Sequence, residues 1–305
     1  MRPDRVRGAA EGMGDHGPVT RALVDDGWMT PDLLCGMTVF LLASQPPEPA
    51  PTRTDRPPGA MPSTREKASP IAGGVWVREQ FTMHRPLTID DRFMVAGAST
   101  GRFVRKGRRY GTTRSQTHDS AGHLVATNLT NGLLAYQVEP GVPDGVEGLA
   151  LEDTPGPEPD WVAAVANPHL AAIAASTQGT RYGGEELVLS LAMMAARDTA
   201  NPDNPIHSDP DAARAAGLTR PIAGGSHVLA FAIEPLLATW GPHALFHGSR
   251  LDIGWKAPTE ADATIVPSAT VTTVAPNRVD VDLEVVLAES GATAVVGTLT
   301  VPLPA

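Results

Sequence analysis

The stretch Asn201-Pro-Asp-Asn-Pro-Ile-His-Ser-Asp-Pro210 is followed by Asp211-Ala-Ala-Arg-Ala-Ala-Gly217 and then by Arg220-Pro-Ile-Ala-Gly-Gly-Ser-His227. It sets an acid, an amide and an imidazole on one short turn, pinned by prolines whose fixed φ leaves the backbone little freedom. A short Ala-rich helix comes next, with Asp209 placed to cap it and Pro210 at its first position. A Gly-Gly pair then opens an apolar helix from about Gly224 to Trp240. An acid and a base on a rigid loop, beside free backbone N–H groups at a helix start, make an acid–base site. Composition alone favours a Pro/Asn/Asp-rich surface turn.

The flanking text decides what surrounds this turn. Leu187 to Thr199 reads as helical, and strands follow the apolar helix near Arg250–Trp255, Thr264–Val274, Val279–Leu287 and Ala292–Val301. The first half has a similar order. Residues 1–18 are Gly-rich and charged and read as a flexible lead, and Val19 to Asp26 as a short helix. Thr30-Pro31-Asp32 reads as an N-cap with Pro at the first helical position, leading into Leu33 to Ser44. That run is apolar on nearly every side, and such a helix belongs in an interior. A Pro-rich loop spans 45–70, and alternating runs at Val75–Met83, Phe93–Thr100, Tyr110–His118 and Leu124–Tyr136 predict an antiparallel sheet. Residues 139–160 read as a linker. The halves also share text: His84-Arg-Pro-Leu-Thr-Ile-Asp-Asp91 parallels Trp255-Lys-Ala-Pro-Thr-Glu-Ala-Asp262, each before a strand.

Asn204-Pro205-Ile206-His207, Asp209, the Ala-rich helix and Pro221-Ile222-Ala223-Gly-Gly before an apolar helix resemble, in that order, the MaoC-like hydratases. These are the (R)-specific enoyl-CoA hydratases and related dehydratases of the hotdog fold. The resemblance runs from about Glu185 to the C-terminus, with a weaker version in the N-terminal half. It implies an α+β double hotdog, two antiparallel sheets each wrapped around a central apolar helix. The N-terminal hotdog would span 19–138 and the C-terminal one, carrying the motif, 161–305. It also implies an acyl-thioester hydratase or dehydratase, adding or removing water at an enoyl or 3-hydroxyacyl thioester of CoA or a carrier protein. One departure matters: the family's catalytic Asp stands two positions before the Asn, and here that position is Pro202.

By this resemblance His207 is one proton-handling residue, and Asn204 fixes the loop. The second is either Asp203, beside Asn204, or Asp198, one turn up the preceding helix. Asp203 also suits a simple Asx-turn, and Asp198 a solvated helix carboxylate near Arg197. Backbone N–H groups at Gly225 and Ser226 are the expected oxyanion donors. The Gly224-Gly225-Ser226-His227 cluster departs from the His-Gly-Met usual in the family. Ser226 and His227 add polar atoms where relatives are apolar, which fits a more polar or cyclic acyl group, and His227 fits a core histidine as well. Arg105, Lys106, Arg108 and Arg109 are placed to meet the phosphates of a CoA or carrier-protein arm, or else form a solvated hairpin tip. Two rival readings stand beside the first. One is a lyase or cyclase of the same scaffold acting on a polyketide, and the other a non-catalytic partner subunit.

The formal net charge of −10 excludes a nucleic-acid surface as a global property. No stretch is long and apolar enough to cross a bilayer, and the basic N-terminus has no apolar run behind it, so the expected setting is cytoplasmic. The single cysteine, Cys35, allows no intrachain disulfide and reads as a small buried residue. The remaining histidines show no metal-ligand spacing, and no Gly-rich phosphate loop follows a strand, so no metal or cofactor is expected. The expected assembly is a monomeric pseudo-dimer or a homodimer.

Overall fold

The computed structural model describes residues 3–35, 75–134, 141, 143–148, 167–198 and 204–303. It begins with helices α1 (Pro3–Glu11) and α2 (Pro18–Asp25), a 3-10 turn at Gly14–His16 between them and another at Pro31–Leu34. Strands β1 (Val75–Met83), β2 (Met94–Arg105), β3 (Arg108–His118), β4 (Leu124–Leu133) and β5 (Gly145–Gly148) follow. The second half runs α3 (Leu170–Ala174), β6 (Arg181–Gly183), β7 (Leu187–Leu189), α4 (Leu191–Asp198), a 3-10 turn at Pro205–His207, α5 (Pro210–Ala215) and α6 (Gly225–Trp240). It closes with β8 (Ser249–Trp255), β9 (Ala263–Ala275), β10 (Arg278–Leu287) and β11 (Thr293–Pro302).

The strands make one 11-stranded antiparallel sheet in the order β5-β2-β3-β4-β1-β8-β11-β10-β9-β6, with β7 also on β9. The two half-sheets join where β1 pairs with β8, from Arg78↔Gly254 to Met83↔Ser249. Each half thereby covers the edge of the other within a single chain. The Arg78 guanidinium forks onto both oxygens of Asp252 at 2.9 Å, and Gln80 adds a third bond at 2.7 Å across the same seam. Under the C-terminal half-sheet lies α6, buried from Ser226 to Ile233 and again at Leu236, Leu237 and Trp240. Large side chains such as Phe231 and Trp240 are 1 % exposed, each worth about 1.5–3 kcal/mol of burial or more.

The two halves repeat one another in backbone detail. Trp28 bridges Thr88 as Ile222 bridges Glu260. Met29 N–H donates to Leu87 O (2.9 Å) as Ala223 N–H does to Thr259 O (2.8 Å). Ile89 N–H donates to Gly27 O (2.7 Å) as Ala261 N–H does to Pro221 O (2.8 Å). These pairs follow the shared text at His84–Asp91 and Trp255–Asp262. The order α1, 3-10 turn, α2 likewise recurs as α4, 3-10 turn, α5.

Three expectations need correction. Residues Pro3–Glu11 are not a flexible lead but helix α1, packed on α4, with Val6, Ala9, Ala10 and Met13 at 4 % exposure or less. The spacing of those four side chains makes an apolar stripe that a count of Gly and charge overlooks. Leu187 to Thr199 is not one helix. Leu187 and Leu189 point inward with Val188 outward, the alternation of a strand, and they pair with β9; the Ser190 hydroxyl then accepts from Met193 N–H (3.2 Å) and caps α4. The segment read as a linker contains β5, which pairs with β2. Of the apolar run Leu33–Ser44, residues 36–44 lie outside the described residues, as does the 45–70 loop.

The N-terminal helices are tied to the C-terminal half. Gly17, which precedes α2, has no side chain to cap it, and the Glu234 carboxylate does so from α6. It accepts from Val19 N–H (2.7 Å), Thr20 N–H (3.1 Å) and the Thr20 hydroxyl (2.6 Å).

Candidate active site

The 3-10 turn at Pro205–His207 is held on two sides. Ile206, Ala216 and Ile222 form a small apolar cluster with Val75 and Leu218, and Ile222 N–H donates to Ile206 O at 3.3 Å. Asp209 caps α5, accepting from Asp211 N–H (2.7 Å) and Ala212 N–H (3.3 Å), with Pro210 at the first helical position. His207 is fixed between these anchors. Its Nδ1 lies 2.6 Å from Ile222 O, and its Nε2 lies 3.2 Å from Asn204 Nδ2. A carbonyl only accepts, so Nδ1 carries the proton and Nε2 holds the lone pair, to which the Asn204 amide donates. In this tautomer the imidazole turns its lone-pair nitrogen to the Asn204 side.

Asp198 ends α4 and is 8 % exposed, not a solvated helix carboxylate. The Ser208 hydroxyl donates to its Oδ2, and its Oδ1 has no hydrogen-bond partner. Burial pushes the carboxyl above the usual carboxylate range, while the Ser208 hydroxyl and the nearby His207 pull it part of the way back. Arg197, the neighbour expected to keep Asp198 company, turns away. Its Nη2 pairs with the Asp32 carboxylate and donates to Ser226 Oγ (3.2 Å), and its Nη1 donates to Ala9 O (3.2 Å). Asp203 lies outside the described residues.

Helix α6 starts beside this group. Ile222, which binds both Ile206 and His207, stands three residues before Gly225, the first residue of the helix. The amides of Gly225 and Ser226 have no acceptor within the helix, as for any first turn. Trp76 from β1 and Trp255 from β8 meet here with ring centroids 5.5 Å apart, and Trp255 Nε1–H donates to Gly225 O (3.1 Å). A Cβ on Gly225 would stand 2.9 Å from Trp255 and 3.0 Å from Trp76, so only glycine lets both rings close on the helix start.

The side chains of Ser226 and His227 do not share this setting. Ser226 is bound to Arg197. His227 is 1 % exposed and its Nε2 donates to Gly12 O (2.8 Å), fastening the N-terminal segment to α6. Burial first, then the Arg197 charge, pushes its pKa down to about 3, so the ring is neutral.

Arg105, Lys106, Arg108 and Arg109 surround the β2–β3 turn, which Lys106 and Gly107 close at positive φ (51° and 68°). Lys106 N–H donates to Asp144 (2.7 Å). The register Tyr110↔Leu133↔Val75 puts this turn at the same end of the sheet as the His207 loop, which packs on Val75. From β3 to β1 is two strand spacings, about 10 Å.

Sequence reasoning missed Ser208, Trp76 and Trp255. Ser208 directly follows His207, but nothing in the text says that its hydroxyl reaches back to α4. The two tryptophans stand on β1 and β8, the strands at which the half-sheets join, a placement visible only once β1 and β8 pair. Among the described residues there is no cluster of His, Cys, Asp and Glu that would hold a metal ion, and no helix long and apolar enough to cross a membrane.

No family model and no curated protein sequence matches the chain. Solved structures do. A MaoC-like dehydratase is 18 % identical with a TM-score of 0.63, covering 98 % of this chain and 93 % of its own. A MaoC-like dehydratase of Phytophthora capsici is 16 % identical with a TM-score of 0.64, covering 99 % and 92 %. A double-hotdog protein of Mycobacterium tuberculosis is 16 % identical with a TM-score of 0.58, covering 98 % and 91 %. With one sheet closed through β1 and β8, the chain has the double hotdog fold of the MaoC-like dehydratases.

Proposed function

We propose that the protein is an acyl-thioester hydratase or dehydratase in which Asp198 and His207 are the proton-handling pair. The observation that carries this reading is the position of Asp198. The turn has Pro202 where a carboxylate is expected, and the buried end of α4 brings another one against the His207–Ser208 corner. In hydration, His207 Nε2 takes a proton from water as the water oxygen attacks the β-carbon. Asn204, which donates to that lone pair at rest, is released to the water oxygen. Asp198, whose burial favours the protonated form, gives its proton to the α-carbon. Returning the proton from His207 to Asp198 resets the pair. Negative charge developing on the thioester oxygen is met by the Gly225 and Ser226 amides and the positive end of α6. Dehydration runs the same steps backwards.

The substrate is an acyl thioester of CoA or a carrier protein, and the basic β2–β3 turn is placed to meet its phosphates. The test is hydration of trans-2-enoyl-CoA of several chain lengths, followed as loss of enoyl-thioester absorbance. Asp198→Asn and His207→Ala each lose about 100-fold or more, and Asp203→Asn keeps its activity. Loss on Asp203→Asn with Asp198→Asn unaffected would move the acid to the turn. A folded protein without turnover at any length would set simple enoyl-CoA hydration aside and leave the cyclase reading and the non-catalytic partner role.

A further inference from the structure

Three consecutive residues open α6, and each is held by a different part of the molecule. Gly224, at the cap position, has no side chain to offer the first amides, and the Gly224-Gly225 pair gives the backbone more freedom than other residues would. Order therefore comes from outside the helix. Trp255 on β8 donates to Gly225 O (3.1 Å), Arg197 on α4 donates to Ser226 Oγ (3.2 Å), and His227 donates to Gly12 O (2.8 Å).

Of these holds, Arg197 also adjoins the proton-handling pair, because the next residue in the chain is Asp198. Its guanidinium reaches three elements: the Asp32 carboxylate in the Pro31–Leu34 turn, Ala9 O in α1 and Ser226 in the first turn of α6. The side chain is 7 % exposed, so bulk water does not compete for these bonds. Its backbone is pinned as well. A Cβ on Gly12 would stand 2.6 Å from Arg197 Cβ and 2.9 Å from Met193 O, so glycine at this position lets the N-terminal segment lie directly on α4. One guanidinium thus sets the spacing between the end of α4, with the Asp198 carboxyl, and the start of α6, with the Gly225 and Ser226 amides.

We propose that Arg197 is a positioning residue for catalysis, acting through Ser226 to aim the first-turn amides of α6 at the thioester oxygen, and that Asp32 fixes Arg197 for that task. The proposal rests on reading the site as one for acyl-thioester hydration. It makes the N-terminal segment part of how the C-terminal site works, beyond covering it. Donors to a developing oxyanion act by being held ready. Misplacing them by about 1 Å slows the chemical step without changing how the substrate is bound beforehand.

The test is steady-state hydration of trans-2-enoyl-CoA by the full chain, with kcat and KM read separately beside thermal unfolding. Ser226→Ala removes one acceptor and leaves the Arg197–Asp32 pair and the Ala9 bond in place. Its kcat falls about tenfold or more while KM stays within about twofold. The pH profile keeps the parent's position, because Asp198, His207 and Ser208 are untouched. Ser226→Thr, which restores the hydroxyl, regains most of the loss. Arg197→Met/Asp32→Leu leaves no lone charge inside, keeps the fold and shows the same fall in kcat, which separates the effect from stability. Parental kcat in Ser226→Ala or in the double variant would overturn this inference and leave the hydratase reading standing. So would a loss that appears in KM instead, or a Ser226→Thr as slow as Ser226→Ala. A folded parent without turnover would overturn both.

Discussion

The Ser208 hydroxyl donates to Asp198 Oδ2 across a chain separation of ten residues, clamping the end of α4 to the turn that carries His207. That bond favours the ionised carboxyl, so removing it lets burial raise the Asp198 pKa further. In Ser208→Ala the pH profile of kcat/KM for hydration shifts to higher pH, as the limbs belong to the coupled pair. An unmoved profile would mean that Asp198 does not titrate in turnover.

Asp198→Asn separates stability from activity. The folded carboxyl titrates above its ordinary 3.8, so stability falls as pH rises through the window between 3.8 and the raised value. The deficit then persists at neutral pH. The amide removes it and still accepts from Ser208. Thermal unfolding shows a higher Tm than the parent at pH 7, no gain near pH 3, and hydration is lost.

Arg197 and Asp32 form a buried pair, with side chains 7 % and 0 % exposed. Asp32→Asn leaves the guanidinium charge uncompensated and costs about 3–5 kcal/mol in urea unfolding. The double variant Arg197→Met/Asp32→Leu recovers much of that loss, because no lone charge stays buried.

Gly225→Ala forces a methyl between two indoles. The expected cost is about 1–3 kcal/mol of stability from overpacking, and Trp76→Leu in the same chain returns part of it. An additive double variant would show that the rings do not set this limit.

His227 makes the fold sensitive to acid. Its folded pKa of about 3 lies below the ordinary 6.5, so the unfolded chain binds the proton first. Stability is complete above pH 6.5 and falls towards pH 3, by about 1.4 kcal/mol per pH unit from this one group. His247, pushed down to about 4 chiefly by burial, adds in the same direction. Urea midpoints measured from pH 7 to pH 4 decline less steeply in His227→Gln, whose amide still reaches Gly12 O.

The sheet was legible because its signals are local. Alternation and turn residues mark each strand within a few residues of β1, β3, β4 and β8–β11, and the apolar run of α6 stands out by itself. The His207 turn was legible too, through the order of elements around it. The carboxylate was harder. Asp198 looks like a surface acid on an amphipathic helix until the Ser208 hydroxyl, ten residues on, reaches back to it. Residues 3–16 were missed because Gly and charge hid the apolar stripe of Val6, Ala9, Ala10 and Met13, and the partners Arg197 and His227 leave no mark in that text.

The strap of residues 3–35 has a consequence for how the molecule is built. Its acceptors and donors are Arg197, His227 and Glu234, separated from it by 165 to 215 residues. On the ribosome, α1 and α2 emerge long before those partners exist, and closing so long a loop is entropically slow. These helices must wait for partners made 165 to 215 residues later, exposing their apolar stripe meanwhile to aggregation and proteases.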